Sequence, residues 1–107
     1  MAGGMGKILK QAKKMQEDME RVQADLAQRE VTAGAGGGAV EVVATCGNRL
    51  KTITIKPEAV DPDDVEMLQD LIVVAVNQAL DEAAAVTATE MAQVTGGLGG
   101  MMGGLGM

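Results

Sequence analysis

AVEVVATCGNRLKTITIK, residues 39–56, is the stretch whose reading decides the fold. Its first part, Ala39 to Thr45, carries Val40, Val42 and Val43, side chains that suit a pleated, half-buried strand. Cys46-Gly47-Asn48 interrupts the run, and Gly and Asn both tolerate the positive φ that a hairpin turn demands. Arg49 to Lys56 then resumes β character. Strict alternation there sets Ile53 and Ile55 on one face and Leu50, Thr52 and Thr54 on the other. Upstream, Glu30-Val31-Thr32-Ala33 is a further β-prone stretch, followed by Gly34-Ala35-Gly36-Gly37-Gly38 as a flexible loop. So glycine-rich a loop could cradle a phosphate, but neither a Lys-Ser/Thr pair nor a helix follows it, and a hairpin connection is the better reading. The expectation is a small antiparallel sheet of about three strands. Such a sheet is not stable alone and has open edges. A helix must cover one face, and a second subunit could pair with or cover the rest.

Helical patterns flank this sheet on both sides. From about Met5 to about Arg29, the residues Met5, Ile8, Ala12, Met15, Met19, Val22 and Leu26 alternate spacings of three and four, a heptad seam among Lys, Gln, Glu, Asp and Arg. At ~1.5 Å per residue this helix is on the order of 37 Å long, more than a domain of this size needs. It should project and pack lengthwise on another helix, through an adaptable surface in which Met is prominent. After the sheet, Asp61 suits an N-cap, Pro62 the first helical position, and Asp63, Asp64 and Glu66 the positive end of a helix dipole. Val65, Leu68, Leu71, Ile72, Ala75, Val76, Ala79, Leu80 and Ala83 form a broad apolar face suited to a sheet, with helical character continuing towards Val94. Residues 96–107 contain only Gly, Met and Leu and are expected to be a disordered tail, leaving residues 1–95 as the domain. The fold class is α+β: long helix, small antiparallel sheet, second helix.

Composition narrows the function. The chain has 107 residues and no Phe, Tyr or Trp, so its core must come from Val, Ile, Leu, Met and Ala, which favours burial against a second copy. It has no His, the usual general base and metal ligand, and Cys46 is its only cysteine, without an imidazole to activate it or a second thiol to bridge. Asp61, Asp63, Asp64 and Glu66 lack the spacing of a calcium loop, and helix capping accounts for all of them. The chain therefore reads as a non-enzyme with no cofactor and no metal. With no charged-then-apolar leader and no long uncharged apolar run, it reads as cytoplasmic, with no membrane partner.

Charge gives the positive signal. The formal net charge is −6, yet Lys7, Lys10, Lys13 and Lys14 cluster in an opening segment free of Asp and Glu. A helix N-terminus is already positive, so lysines there oppose the dipole. They either solvate an exposed face or form a positive tip for something negative outside the chain. Lys offers a point charge without the fork of Arg, which suits phosphate oxygens better than base edges. The lack of aromatics argues against single-strand stacking. Together these point to double-stranded DNA, bound with little sequence preference.

The order of the parts resembles the YbaB/EbfC family of small bacterial nucleoid-associated proteins. The likeness is carried by Lys10-Gln11-Ala12-Lys13-Lys14-Met15-Gln16, by Gly38-Ala39-Val40-Glu41-Val42 ahead of Gly47-Asn48, and by Ile53-Thr54-Ile55-Lys56-Pro57-Glu58. It is carried most specifically by Asp63 to Ala79, and it spans residues 5 to 95. The resemblance implies a tweezer-like homodimer whose projecting helical ends contact DNA, with a chromosome-organising or regulatory role in the nucleoid. Carried onto this chain, the nucleic-acid contacts are Lys7, Lys10, Lys13 and Lys14, with Gln11 as a neighbour. The end of the second helix departs from a basic pattern, offering Thr, Ala, Glu90 and Gln93 instead of Lys or Arg. A competing reading is an acidic adaptor or chaperone-like module that meets protein partners through Met15 and Met19.

Overall fold

The computed structural model describes the backbone of residues 2–106 and the side chains of residues 4–94. The elements run α1 (Ala2–Gln28), β1 (Glu30–Ala35), β2 (Val40–Thr45), β3 (Arg49–Ile55), a short 3₁₀ turn (Pro57–Ala59) and α2 (Val65–Gly106). The Gly/Met-rich segment 96–107 lies outside the described side chains.

The three strands form one antiparallel sheet in the order β1-β2-β3. β1 runs two residues beyond the expected Ala33. The glycine connection is therefore a tight turn, with Gly36, Gly37 and Gly38 all at positive φ and the Ala39 amide bonded to the Gly36 carbonyl. Asn48 supplies the positive φ of the second turn. In β3 the simple alternation fails. Val43 faces Thr52 but Ala44 faces Leu50, so a β-bulge absorbs Lys51 between them. The extra residue reverses the phase, and Leu50 joins Ile53 and Ile55 on the face of Val40, Val42 and Ala44 instead of lying with Thr52 and Thr54.

That face carries the core. Ala33, Val40, Val42, Ala44, Ala75 and Ala79 are buried together, with Val31, Ala35, Ile55, Leu68, Leu71, Ile72 and Val76 packed around them. The alanines of α2 let its backbone lie close to the valines of β2. A second cluster, Leu26, Cys46 and Ala83 with Val22, Val31 and Val86, fastens the end of α1 to α2 at the opposite end of the sheet. Arg29 pairs with Glu90 nearby at 3.1 Å. The seam of α1 is thus only partly used: Leu26 is buried, Met15, Met19 and Val22 are half-buried, and Met5 and Ile8 are exposed.

The start of α2 differs from expectation. Its first residue is Val65, and Asp64 caps it by accepting the Met67 amide at 3.2 Å. Asp61 and Pro62 belong to the preceding turn, where the Asp61 carboxylate accepts the Asp63 amide and its carbonyl accepts the Asp64 amide. Residues Val65–Val94 are long and apolar enough, by length and composition, to cross a bilayer. It is not an uncharged run, since Glu66, Asp70, Asp81, Glu82 and Glu90 lie within it. Two observations give the helix a different use: its Ala75-Ala79-Ala83 face is filled by the sheet and α1, and Asp70, Asp81 and Glu82 interrupt the run where hydrocarbon would penalise them.

α2 covers β1 and β2 and leaves β3 largely outside its shadow. Leu50 and Ile53, on the core-side face of β3, are 45% and 44% exposed. The molecule is elongated, 75 × 29 × 16 Å, with a radius of gyration of 20.7 Å against about 13 Å for a compact chain of this length.

Candidate nucleic-acid interface

α1 begins with Ala, Gly and Met and carries no acidic residue in its first turn. Lys7, Lys10, Gln11, Lys13 and Lys14 all lie on this helix and are all exposed. At 3.6 residues per turn, Lys7, Lys10, Gln11 and Lys14 fall within an arc of about 100°, and Lys13 lies about 60° to one side. The arc points roughly away from the seam, so packing against α2 leaves the ammonium groups in water.

Among the described residues, the ion pairs are Arg21 with Asp18, Arg29 with Glu90 and Lys51 with Glu30, so none of the four tip lysines is in one. Glu17 and Asp18 sit one turn beyond the patch, and Asp18 is turned towards Arg21 at 3.0 Å. The tip is a cluster of uncompensated positive charge, reinforced by the helix N-terminus, on a chain whose net charge is −6. It can hold several phosphate oxygens in a row along a helix face. It contains no aromatic to stack on a base and no Arg fork to read a base edge.

The acidic residues are spread elsewhere. Asp61 and Asp64 are engaged with backbone amides, and among the described residues no group of three His, Cys, Asp or Glu converges as a metal site. Cys46 is buried beside Leu26 and Ala83, a packing position rather than a reactive one. Sequence reasoning brought the lysines together correctly on one helix. It missed the uncovered Leu50–Ile53 surface, because the bulge that places Leu50 there has no sequence signature in a run of Thr, Lys and Ile.

The family model described as the YbaB/EbfC DNA-binding family matches residues 1–98. The chain is 59% identical over 101 residues to a nucleoid-associated protein of Acetivibrio thermocellus, covering 94% of this chain and 89% of that one. It is 55% identical over 101 residues to a nucleoid-associated protein of Ruminiclostridium cellulolyticum, covering 94% and 88%. A nucleoid-associated protein of Pelotomaculum thermopropionicum is 54% identical over 98 residues, covering 92% and 93%. Among solved structures, an uncharacterised protein from Helicobacter pylori superposes with a TM-score of 0.66 over 79% of this chain and 86% of its own, at 19% identity, which supports the fold alone.

Proposed function

This chain belongs to the YbaB/EbfC DNA-binding family, a family of nucleoid-associated proteins, and from that premise we propose that it is a homodimer that grips duplex DNA through phosphate contacts made by the α1 tips. The contact residues are Lys7, Lys10, Lys13 and Lys14, with Gln11 beside them. The observation that carries the reading is a run of exposed lysines near the start of α1 that, among the described residues, are in no ion pair and oppose both the dipole and the charge of the rest of the chain. Nothing in the folding of α1 calls for them, whereas phosphates do.

The dimer is supported by what the single chain leaves uncovered. Val40 and Val42 are the largest fully buried side chains, while Leu50 and Ile53 on β3 are 45% and 44% exposed. A core so thin gains much from covering β3 with a second copy. Two tips on one dimer would engage one duplex at a high effective concentration. The acidic body confines contact to the tips, the lysines without an Arg fork keep sequence preference low, and both suit a chromosome-organising or regulatory role at the nucleoid of the bacterial cytoplasm. Residues 1–95 carry this function as one unit.

Fluorescence anisotropy on a labelled duplex tests the site. Wild type should bind with a steep salt dependence, about 0.9 log units in affinity per tenfold salt for each phosphate engaged. Reversal of the four lysines to Glu should abolish binding and leave the dimer intact by sedimentation. Binding that survives the reversal would remove the tip as the site.

A further inference from the structure

Among the described residues, two apolar stripes stand exposed, one on the α1 tip and one at the start of α2. On the α1 tip, Met5, Ile8 and Leu9 are 67%, 65% and 65% exposed, and with Ala12 they follow the i, i+3, i+4, i+7 pattern of one helix face. At the start of α2, Met67 and Val74 are 54% and 46% exposed, and with Leu71 they floor an open groove of about 400 Å³ edged by Asp64, Glu66 and Asp70. Both stripes run from i to i+7, so each is on the order of 10 Å long. Their charges are opposite: four lysines and no carboxylate around the first, three carboxylates and no cation around the second.

A chain cannot join its own two stripes. α2 enters beside the first turn, where Leu71 approaches Gly36, and leaves past Ala83 at the Cys46–Leu26 end of the sheet. α1 is fastened at that second end, through Val22 and Leu26. Ile8 is on the order of 27 Å along α1 from Leu26, and because α1 meets α2 and only the edge of β2 in a molecule 75 Å long, the tip extends away from the sheet and its groove.

We propose that the α2 groove receives the α1 tip of another copy, with Met5, Ile8 and Leu9 seated on Met67, Leu71 and Val74 and the tip's positive field matched to Asp64, Glu66 and Asp70. Helix lies on helix, with methionine on both sides to accommodate the fit. Tip and groove are different surfaces, so the contact is heterologous; the form proposed is the open one, in which each copy's tip seats in the next copy's groove and copies add in a row. Lys7, Lys10, Gln11 and Lys14 face roughly away from the stripe, so a seated tip keeps them available. The row can therefore grow along a duplex, and binding to long DNA becomes cooperative. This last consequence rests on the lysine tip being the DNA site; the docking itself does not.

The test uses neutral polar changes that leave the lysines untouched: Ile8→Ser with Leu9→Ser on the tip, and Met67→Ser with Val74→Ser in the groove. All four positions are exposed or nearly half exposed, so the fold tolerates the changes, and circular dichroism melts check this. Sedimentation velocity at low salt should show wild type growing beyond its basal unit as concentration rises, and both variants staying at that unit. On a duplex long enough for many copies, wild type should bind steeply and both variants along a simple hyperbola. On a duplex with room for one basal unit, affinities should agree within about twofold, as expected of surface changes away from the contact. Wild type that never grows and binds long DNA without cooperativity overturns the proposal, as does growth that survives the groove variant. A groove variant whose basal unit itself splits assigns the groove to the dimer contact and also overturns it. If duplex binding is absent throughout while tip and groove variants still abolish growth, the docking stands and the DNA reading alone falls.

Discussion

Glycines 36 and 37 share a backbone conformation but not an environment, and the pair separates two physical effects. Both have φ near +65°, where a Cβ costs roughly 1–2 kcal/mol. A Cβ on Gly37 would meet nothing within 4 Å, whereas on Gly36 it would lie 3.1 Å from a Leu71 methyl and 3.3 Å from the Ala39 Cβ. Gly37→Ala should therefore lower stability by about 1 kcal/mol and Gly36→Ala by about 2 kcal/mol or more. Thermal melts followed at 222 nm can read this, since about 1 kcal/mol moves Tm by roughly 4–8 °C in a domain of this size. Equal shifts would mean that Leu71 gives way freely. Val42, fully buried at the centre of the sheet, should cost about 2 kcal/mol as Val42→Ala, and half-buried Val43 on the opposite face clearly less. The valine pattern of β2 and the Gly-Asn turn were legible from residues alone, because period-two alternation and positive φ are local properties. Leu50 was not legible. Its face depends on a bulge set by pairing across two strands, and a single unpaired residue leaves no trace in composition.

At the scale of elements, existence and order were readable, while the ends and the uses of faces were not. Asp61, Asp63 and Asp64 precede the apolar run of α2, and the sequence favours Asp61 as its cap because Pro62 follows it. The structure selects Asp64 because the turn through Pro57–Ala59 and Asp61 has to reverse the chain from β3 before helical φ and ψ can start. Asp64→Ala should then cost about 1 kcal/mol through loss of the Met67 amide contact, with Asp63→Ala close to neutral. Comparable losses at both positions would mean that the dipole matters more than the cap. The seam of α1 was visible as a heptad pattern, but periodicity cannot say how much of a stripe meets its partner. Met15 to Leu26 is taken up within the chain, and Met5 to Leu9 is not. The lysines were readable because a charge run that opposes a helix dipole needs no tertiary information to be noticed.

At the scale of the whole molecule, affinity and assembly are linked. A single tip offers four lysines in high dielectric, each a weak phosphate contact by itself. On the proposed two-tip grip, useful affinity comes from two tips held at a fixed separation, and the uncovered β3 face is the surface offered to set that separation. Leu50→Asp with Ile53→Asp should break the dimer, since two carboxylates cannot be buried unpaired in an apolar contact. Both positions are already about half exposed in the single chain, so the chain itself should stay folded. Duplex binding should then fall by about 100-fold or more although no DNA-contacting residue has changed, because the second tip no longer acts at high effective concentration. The slope of log affinity against log salt should also drop to about half, since one tip engages half as many phosphates. Sedimentation and anisotropy on the same preparation decide the matter. A monomer that kept the wild-type affinity and slope would show that one tip suffices, and the two-tip grip would have to be abandoned.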